Sequence, residues 1–125
     1  MARTLLIVAL GGGIGSALRF LLSKLVAENA GGTFPYPTLA VNIVGCLAIG
    51  LFYGMSVRGH LGGNTTKTLL TTGLCGGFTT FSTFCNENLS LLRDGHHLTA
   101  LLYAGGSLAL GLAAVAAGYW LAEHA

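Results

Sequence analysis

Gly73-Leu-Cys-Gly-Gly-Phe-Thr-Thr-Phe-Ser-Thr-Phe84 is the stretch on which the reading of this chain turns. It lies inside an apolar segment, about Thr68 to Leu92, that otherwise has the length of one membrane span. Three glycines, four threonine or serine hydroxyls and three phenylalanines occupy ten of its twelve positions. A lipid-facing helix has no use for that mixture. Gly76-Gly77 weakens a helix, and the hydroxyls supply oxygens where the backbone ladder opens. Irregular backbone at membrane depth persists only where it is buried in protein or lines a polar cavity. The stretch therefore predicts a helix broken at Gly76-Gly77, at the centre of a transport pathway.

The surrounding composition fits that setting. Mean hydropathy is +0.73. Charged residues make up 8% of the chain, whereas a soluble domain carries about 25%. The 20 glycines against 2 prolines suit close helix packing in a bilayer. A chain of 125 residues is read as one domain, residues 1–125. Four windows are long and apolar enough to span: about 4–22, 39–57, 68–92 and 98–122. The expected fold is an all-α membrane protein of four transmembrane helices, the third broken at its centre. Arg3 gives a positive start, but the apolar run behind it is too long for a cleaved leader. Cys46, Cys75 and Cys85 lie in apolar segments and are read as small buried residues.

Four spans place both termini on one side, with the loop from Arg58 to Thr65. That side carries Arg3, Arg58 and Lys67, and the other carries Arg19, Lys24 and Arg93. Lys and Arg asymmetry normally sets orientation, so three against three leaves it unspecified. Either the protein inserts both ways and forms an antiparallel dual-topology dimer, or folding or a partner fixes one orientation.

In the first span, Gly11-x-Gly13-x-x-Ser16 approaches a dinucleotide-binding fingerprint, but no acidic residue stands at the required offset. Gly11 and Gly15 instead form a GxxxG face for close helix contact. Arg19 has two readings: a side chain that snorkels to the interface, or a cation in a water-filled vestibule that attracts anions. Asn42, in the second span, requires hydrogen-bond partners. It serves either as a link between helices or as an NH2 donor to a passing anion. Cys46, Gly50 and Gly54 give that helix a small-residue face.

Phe81 and Phe84 share one helix face. Phenyl rings have electropositive edges, and edges coordinate a small anion weakly enough for it to leave again. Ser82 and Thr83 add hydroxyl donors. Carbonyls opened near Gly76 and Thr79 suit a hard cation. Glu87, one turn beyond Phe84, is either a cap or the one carboxylate facing a pathway. Tyr103, Ser107 and Gly111 fall on one face of the fourth span, beside the phenylalanines or in ordinary packing. Tyr119-Trp120 is placed as an interfacial belt.

Taken together, Gly11-Gly-Gly-Ile-Gly-Ser-Ala-Leu-Arg19, Val41-Asn-Ile-Val-Gly45 and the Gly73–Phe84 run resemble the signatures of the small bacterial fluoride channels, the Fluc or CrcB family. The resemblance covers essentially the whole chain, in order. It implies a passive fluoride-selective ion channel of the bacterial inner (plasma) membrane that relieves fluoride toxicity, not an enzyme. It also implies an antiparallel homodimer with two pores. By position, Phe81 and Phe84 would be the aromatic boxes and Asn42 the pore amide. Ser82 and Thr83 would belong to the same motif, and Tyr103 and Ser107 would begin a polar track. Gly111 and Val115 stand where that track would continue. Gly76 and Thr79 would offer carbonyls from both subunits to a central structural Na+. Glu87 would act in ion entry or gating, and Arg19 in the vestibule.

Two rivals remain at this stage. A proton-coupled exporter of small cationic drugs has the same size and topology, but it needs a membrane-embedded carboxylate, and only Glu87 is available for that part. A non-transporting membrane scaffold would use the same packing faces.

Overall fold

The structure is a computed structural model, and it describes residues 1–124. Among these residues every regular element is helical. The first helix, α1 (Ala2–Asn29), runs well past Leu22. It stops where Asn29 Nδ2 donates back to the Leu25 carbonyl at 2.8 Å, ahead of Gly31-Gly32. α2 (Tyr36–Val57) begins behind Pro35 and holds Pro37 in its first turn, where a missing N–H costs nothing. It ends at Gly59, whose φ of +76° closes the helix with Gly59 N–H on Ser56 O and His60 N–H on Met55 O.

The third apolar segment is built in pieces. α3 (Asn64–Thr68) passes into a π-helical stretch, Leu69–Cys75, and then into the short α4 (Gly76–Phe78). Thr79 and Thr80 are extended, at φ/ψ of −83°/159° and −148°/114°. The helix restarts as α5 (Phe81–Arg93), ends at Gly95 in the same left-handed way as α2, and is followed by α6 (His97–His124). The break thus falls at Thr79-Thr80. Gly76-Gly77, where it is expected from sequence, stays helical.

The reason lies in what Gly77 faces. A Cβ on Gly77 would run into the backbone of Gly12, with Gly12 Cα at 2.8 Å. One on Gly11 would meet Gly73 Cα at 3.0 Å, and one on Gly15 the Phe78 nitrogen at 2.9 Å. Gly11, Gly15, Gly73 and Gly77 therefore let α1 lie backbone to backbone on the Leu69–Phe78 segment, which is the close contact that the Gly11/Gly15 spacing predicts. The second long contact, α2 on α6, uses the same device. A Cβ on Gly54 would meet Ala122 Cβ at 2.6 Å, and one on Gly118 the Leu51 nitrogen at 2.8 Å.

α1, α2 and α6 are each long and apolar enough to cross a membrane. Their outward faces are apolar too: Leu5, Leu10, Leu102, Leu108 and Leu112 are all exposed. A helix that is apolar all round is not the amphipathic helix of a water-soluble surface. The three helices long enough to span and the broken third segment form an all-α bundle.

Candidate functional site: a cleft at the helix break

The break is held from α2. Thr80 N–H donates to Asn42 Oδ1 at 2.9 Å, and Asn42 Nδ2 donates to the Thr80 carbonyl at 3.2 Å. One side-chain amide thus satisfies both polar groups of Thr80, as a neighbouring strand would. In an unbroken α-helix that N–H would serve the carbonyl four residues earlier, Gly76. Downstream, Thr80 Oγ1 accepts from Thr83 N–H at 3.4 Å and donates to Thr83 Oγ1 at 3.0 Å, an N-cap for α5. The Thr83 N–H is therefore diverted from the Thr79 carbonyl. Upstream, the Gly77 carbonyl, left over where α4 stops, accepts from Arg19 Nε at 3.2 Å and Ser16 Oγ at 3.4 Å. Every helix end must dispose of such groups. Here Gly77 and Thr80 find partners on α1 and α2, while Gly76 and Thr79 are deprived of their helical donors.

The π-helical stretch has its own local cause. Thr71 Oγ1 donates to the Lys67 carbonyl at 2.7 Å. A hydroxyl that bonds back by one turn competes with the helical ladder. The ladder then widens, so that Gly76 N–H reaches the Thr71 carbonyl. Single π-turns inside helices collect at functional sites.

Beside the break lies a cleft of about 620 Å³. Asn42, Cys46, Thr71, Gly76, Thr79, Thr80, Phe81, Phe84 and Ser107 are among its lining residues. Phe81 and Phe84 stand with ring centroids 6.1 Å apart. Phe81 is 76% exposed, so the cleft opens on its side of the subunit. The Ser107 hydroxyl is buried and makes no hydrogen bond. The Asn42 amide has a second N–H beyond the one given to Thr80.

From Phe84 an aromatic chain leads away from the cleft. Tyr103 is fully buried, 5.0 Å from Phe84, with Phe34 edge-on to it at 5.5 Å. The Tyr103 hydroxyl donates to Glu87 Oε1 at 2.8 Å, and Thr38 Oγ1 donates to Glu87 Oε2 at 3.0 Å. Both oxygens of Glu87 are thus engaged, and the carboxylate ties α5 to α2 and α6.

The residues singled out from sequence separate into groups. Asn42, Gly76, Thr79, Phe81, Phe84 and Ser107 are brought together at one cleft. Tyr103 and Glu87 form the bonded pair beyond Phe84. Ser82 and Thr83 are exposed on α5, and Thr83 is spent on the cap. Arg19 sits at the end of α4, its Nε on the Gly77 carbonyl. Thr80, Thr38, Ser16 and Thr71 were not anticipated from sequence. Thr80 had a legible signal, a hydroxyl just ahead of a helix restart. Thr38 sits one turn before Asn42, but nothing in its surroundings marks it.

Neutral donors and ring edges around a cleft, with no cationic side chain among the described residues that line it, can hold an anion without trapping it. A break in a membrane-length segment, walled by three helices long enough to span, defines the class: a multi-pass membrane protein with a cleft at that break. Residues 6–119 match the family described as CrcB-like protein, Camphor Resistance (CrcB), and the chain belongs to that family. It is 47% identical to the fluoride-specific ion channel FluC of Phocaeicola vulgatus, over 97% of this chain and 99% of that one. It is 51% identical to that of Aquifex aeolicus, over 93% and 94% of the two chains. With that of Thermus thermophilus it shares 48%, over 93% and 92%. These relatives are named as channels, not as enzymes.

Proposed function

We propose that this protein is a fluoride-selective channel that lets the anion cross the membrane passively. The observation that carries the reading is the cleft itself. Phe81, Phe84, Asn42 with its spare N–H, and Ser107 with its unpartnered hydroxyl all line it. Fluoride is small and strongly hydrated, so a path for it must replace water with donors. Ring edges, an amide and a hydroxyl do so without a fixed positive charge that would hold the ion. The name of the relatives points the same way.

Three further parts belong to the proposal. The working unit is an antiparallel dual-topology homodimer, supported by the three-against-three Lys/Arg balance and by the exposure of Phe81. A structural Na+ binds at the dimer centre. The Gly76 and Thr79 carbonyls fit it in chemistry, being neutral oxygens deprived of their helical donors at one edge of the cleft. Two carbonyls make an incomplete shell, so the same pair from a second copy would be needed. The setting is the bacterial inner membrane, where acid entering as HF leaves fluoride inside and a passive exit relieves it.

The test is current across a planar bilayer under a fluoride gradient, with equal chloride on both sides. A reversal potential that follows fluoride is expected. Zero current from folded protein, or a reversal that follows protons, overturns the reading.

A further inference from the structure

We propose that Asn42 is a positioning residue as much as a lining one: by clamping Thr80 it sets the Gly76 and Thr79 carbonyls for a cation. This inference rests on the channel reading above, and it assigns Asn42 a coupling role between the anion path and the cation site. The geometry is reciprocal. Asn42 Oδ1 takes the Thr80 N–H at 2.9 Å and Nδ2 returns a donor to the Thr80 carbonyl at 3.2 Å. Both peptide groups of the one extended residue that caps α5 are thereby fixed to α2.

The consequence reaches backwards along the chain. With its N–H held by Asn42, Thr80 cannot close the α-helical bond to Gly76. The Gly76 carbonyl is therefore released to face another ligand. Thr79, immediately before the clamp, takes the extended backbone that turns its carbonyl out of the helical ladder. Its Oγ1 does not compete for that role, because it donates to the Cys75 carbonyl at 3.0 Å. A further freed carbonyl, on Gly77, is already taken by Ser16 and Arg19. Asn42 thus frees the Gly76 oxygen directly and holds the residue whose hydroxyl cap diverts the donor of the Thr79 carbonyl, and it lines the same cleft as the aromatic rings.

Two substitutions separate clamping from lining. Asn42→Leu has similar size and no polar atom. Asn42→Asp keeps an oxygen for the Thr80 N–H and loses the donor for its carbonyl. The full chain is reconstituted in lipid nanodiscs, and two readouts besides flux are taken. The first is the Thr80 amide proton resonance. The second is the rise in melting temperature when N-methylglucamine is replaced by sodium. We expect the Thr80 amide to move in Asn42→Leu and to stay near its wild-type position in Asn42→Asp. We expect the sodium-dependent rise to be lost in Asn42→Leu, with fluoride flux down about tenfold, the equivalent of one strong hydrogen bond.

A residue that only lined the path would lower flux and leave both readouts unmoved, which overturns the proposal. An amide that moves while the sodium rise persists also overturns it, because the clamp would then not govern the carbonyls. If wild-type protein shows no sodium-dependent rise, the sodium part of the proposed function fails and the coupling with it. The amide resonance then decides separately whether the clamp exists.

Discussion

The two sides of the broken third segment are built from opposite materials. Against α1, Leu69–Phe78 packs backbone on backbone through Gly11, Gly15, Gly73 and Gly77, with no space for one added carbon. Against α2, α5 and α6 the same segment borders a cleft of about 620 Å³, walled by rings, an amide and single hydroxyls. The close-packed side fixes position. The open side, supported by it, has the freedom to hold unpaired donors. A break in the backbone is tolerable in a membrane where protein groups meet what it frees, and here partners reach it from both sides: Gly77 from Arg19 and Ser16, Thr80 from Asn42.

The contrast is broken most severely on the packed side. Gly77→Val places carbon against Gly12 backbone, which has no side chain to move aside. A loss of about 3 kcal/mol, the upper end for overpacking, is expected. It is read as aggregated material in detergent and no cooperative melt. On the open side the same measurement should barely move while transport collapses. Phe84→Ile removes a ring edge and keeps apolar bulk, and fluoride flux should fall about tenfold or more with the melting temperature within a few degrees of wild type.

Ser107→Ala sharpens the contrast further. Its hydroxyl is buried without a partner, so deleting it should leave stability unchanged or raise it by about 1 kcal/mol. Flux should nonetheless drop severalfold if the donor serves the ion, as the proposed channel requires. Chemical denaturation and vesicle efflux on the same preparation check both halves.

Glu87→Gln probes the edge of the cleft. The amide oxygen still accepts from one of Thr38 and Tyr103, and a passive path needs no proton from this site. Flux should stay within about threefold of wild type, the cost of one weakened hydrogen bond. Abolished transport, together with proton-driven efflux of an organic cation, would favour the exporter instead. The smallest effect belongs to Gly111→Ala. The added carbon meets only Cys46 Sγ at 3.4 Å, and alanine gains about 0.5–1 kcal/mol over glycine inside a helix. Stability should rise slightly and flux should not change.

How far the sequence disclosed this arrangement varies by residue. The spans of α1, α2 and α6 were legible because length and apolarity suffice to mark a membrane helix. The existence of a break was legible from the density of Gly, Thr, Ser and Phe. Its position was not. Gly76-Gly77 has the weaker helix propensity, yet both stay helical; α1 fills the space that a side chain on Gly77 would occupy. The break moved to Thr79-Thr80 because a long-range partner, Asn42, captures Thr80 there. Propensity is local, and that capture joins residues 38 positions apart. Tyr103 and Glu87 were each noticed alone, and only the packing of α6 on α5 joins them. The GxxxG face at Gly11 and Gly15 needed no such information, since spacing alone defines one side of a helix.

Fluoride efflux from liposomes most directly tests whether the cleft is the anion path, with wild type and Phe84→Ile side by side, valinomycin clamping charge and chloride as the control ion. Rapid fluoride release with chloride retained in the wild type, and slowed release from the equally folded variant, is the predicted result. Equal fluoride release from both proteins would contradict the aromatic cleft as the path. No release from folded wild-type protein would contradict the channel reading as a whole.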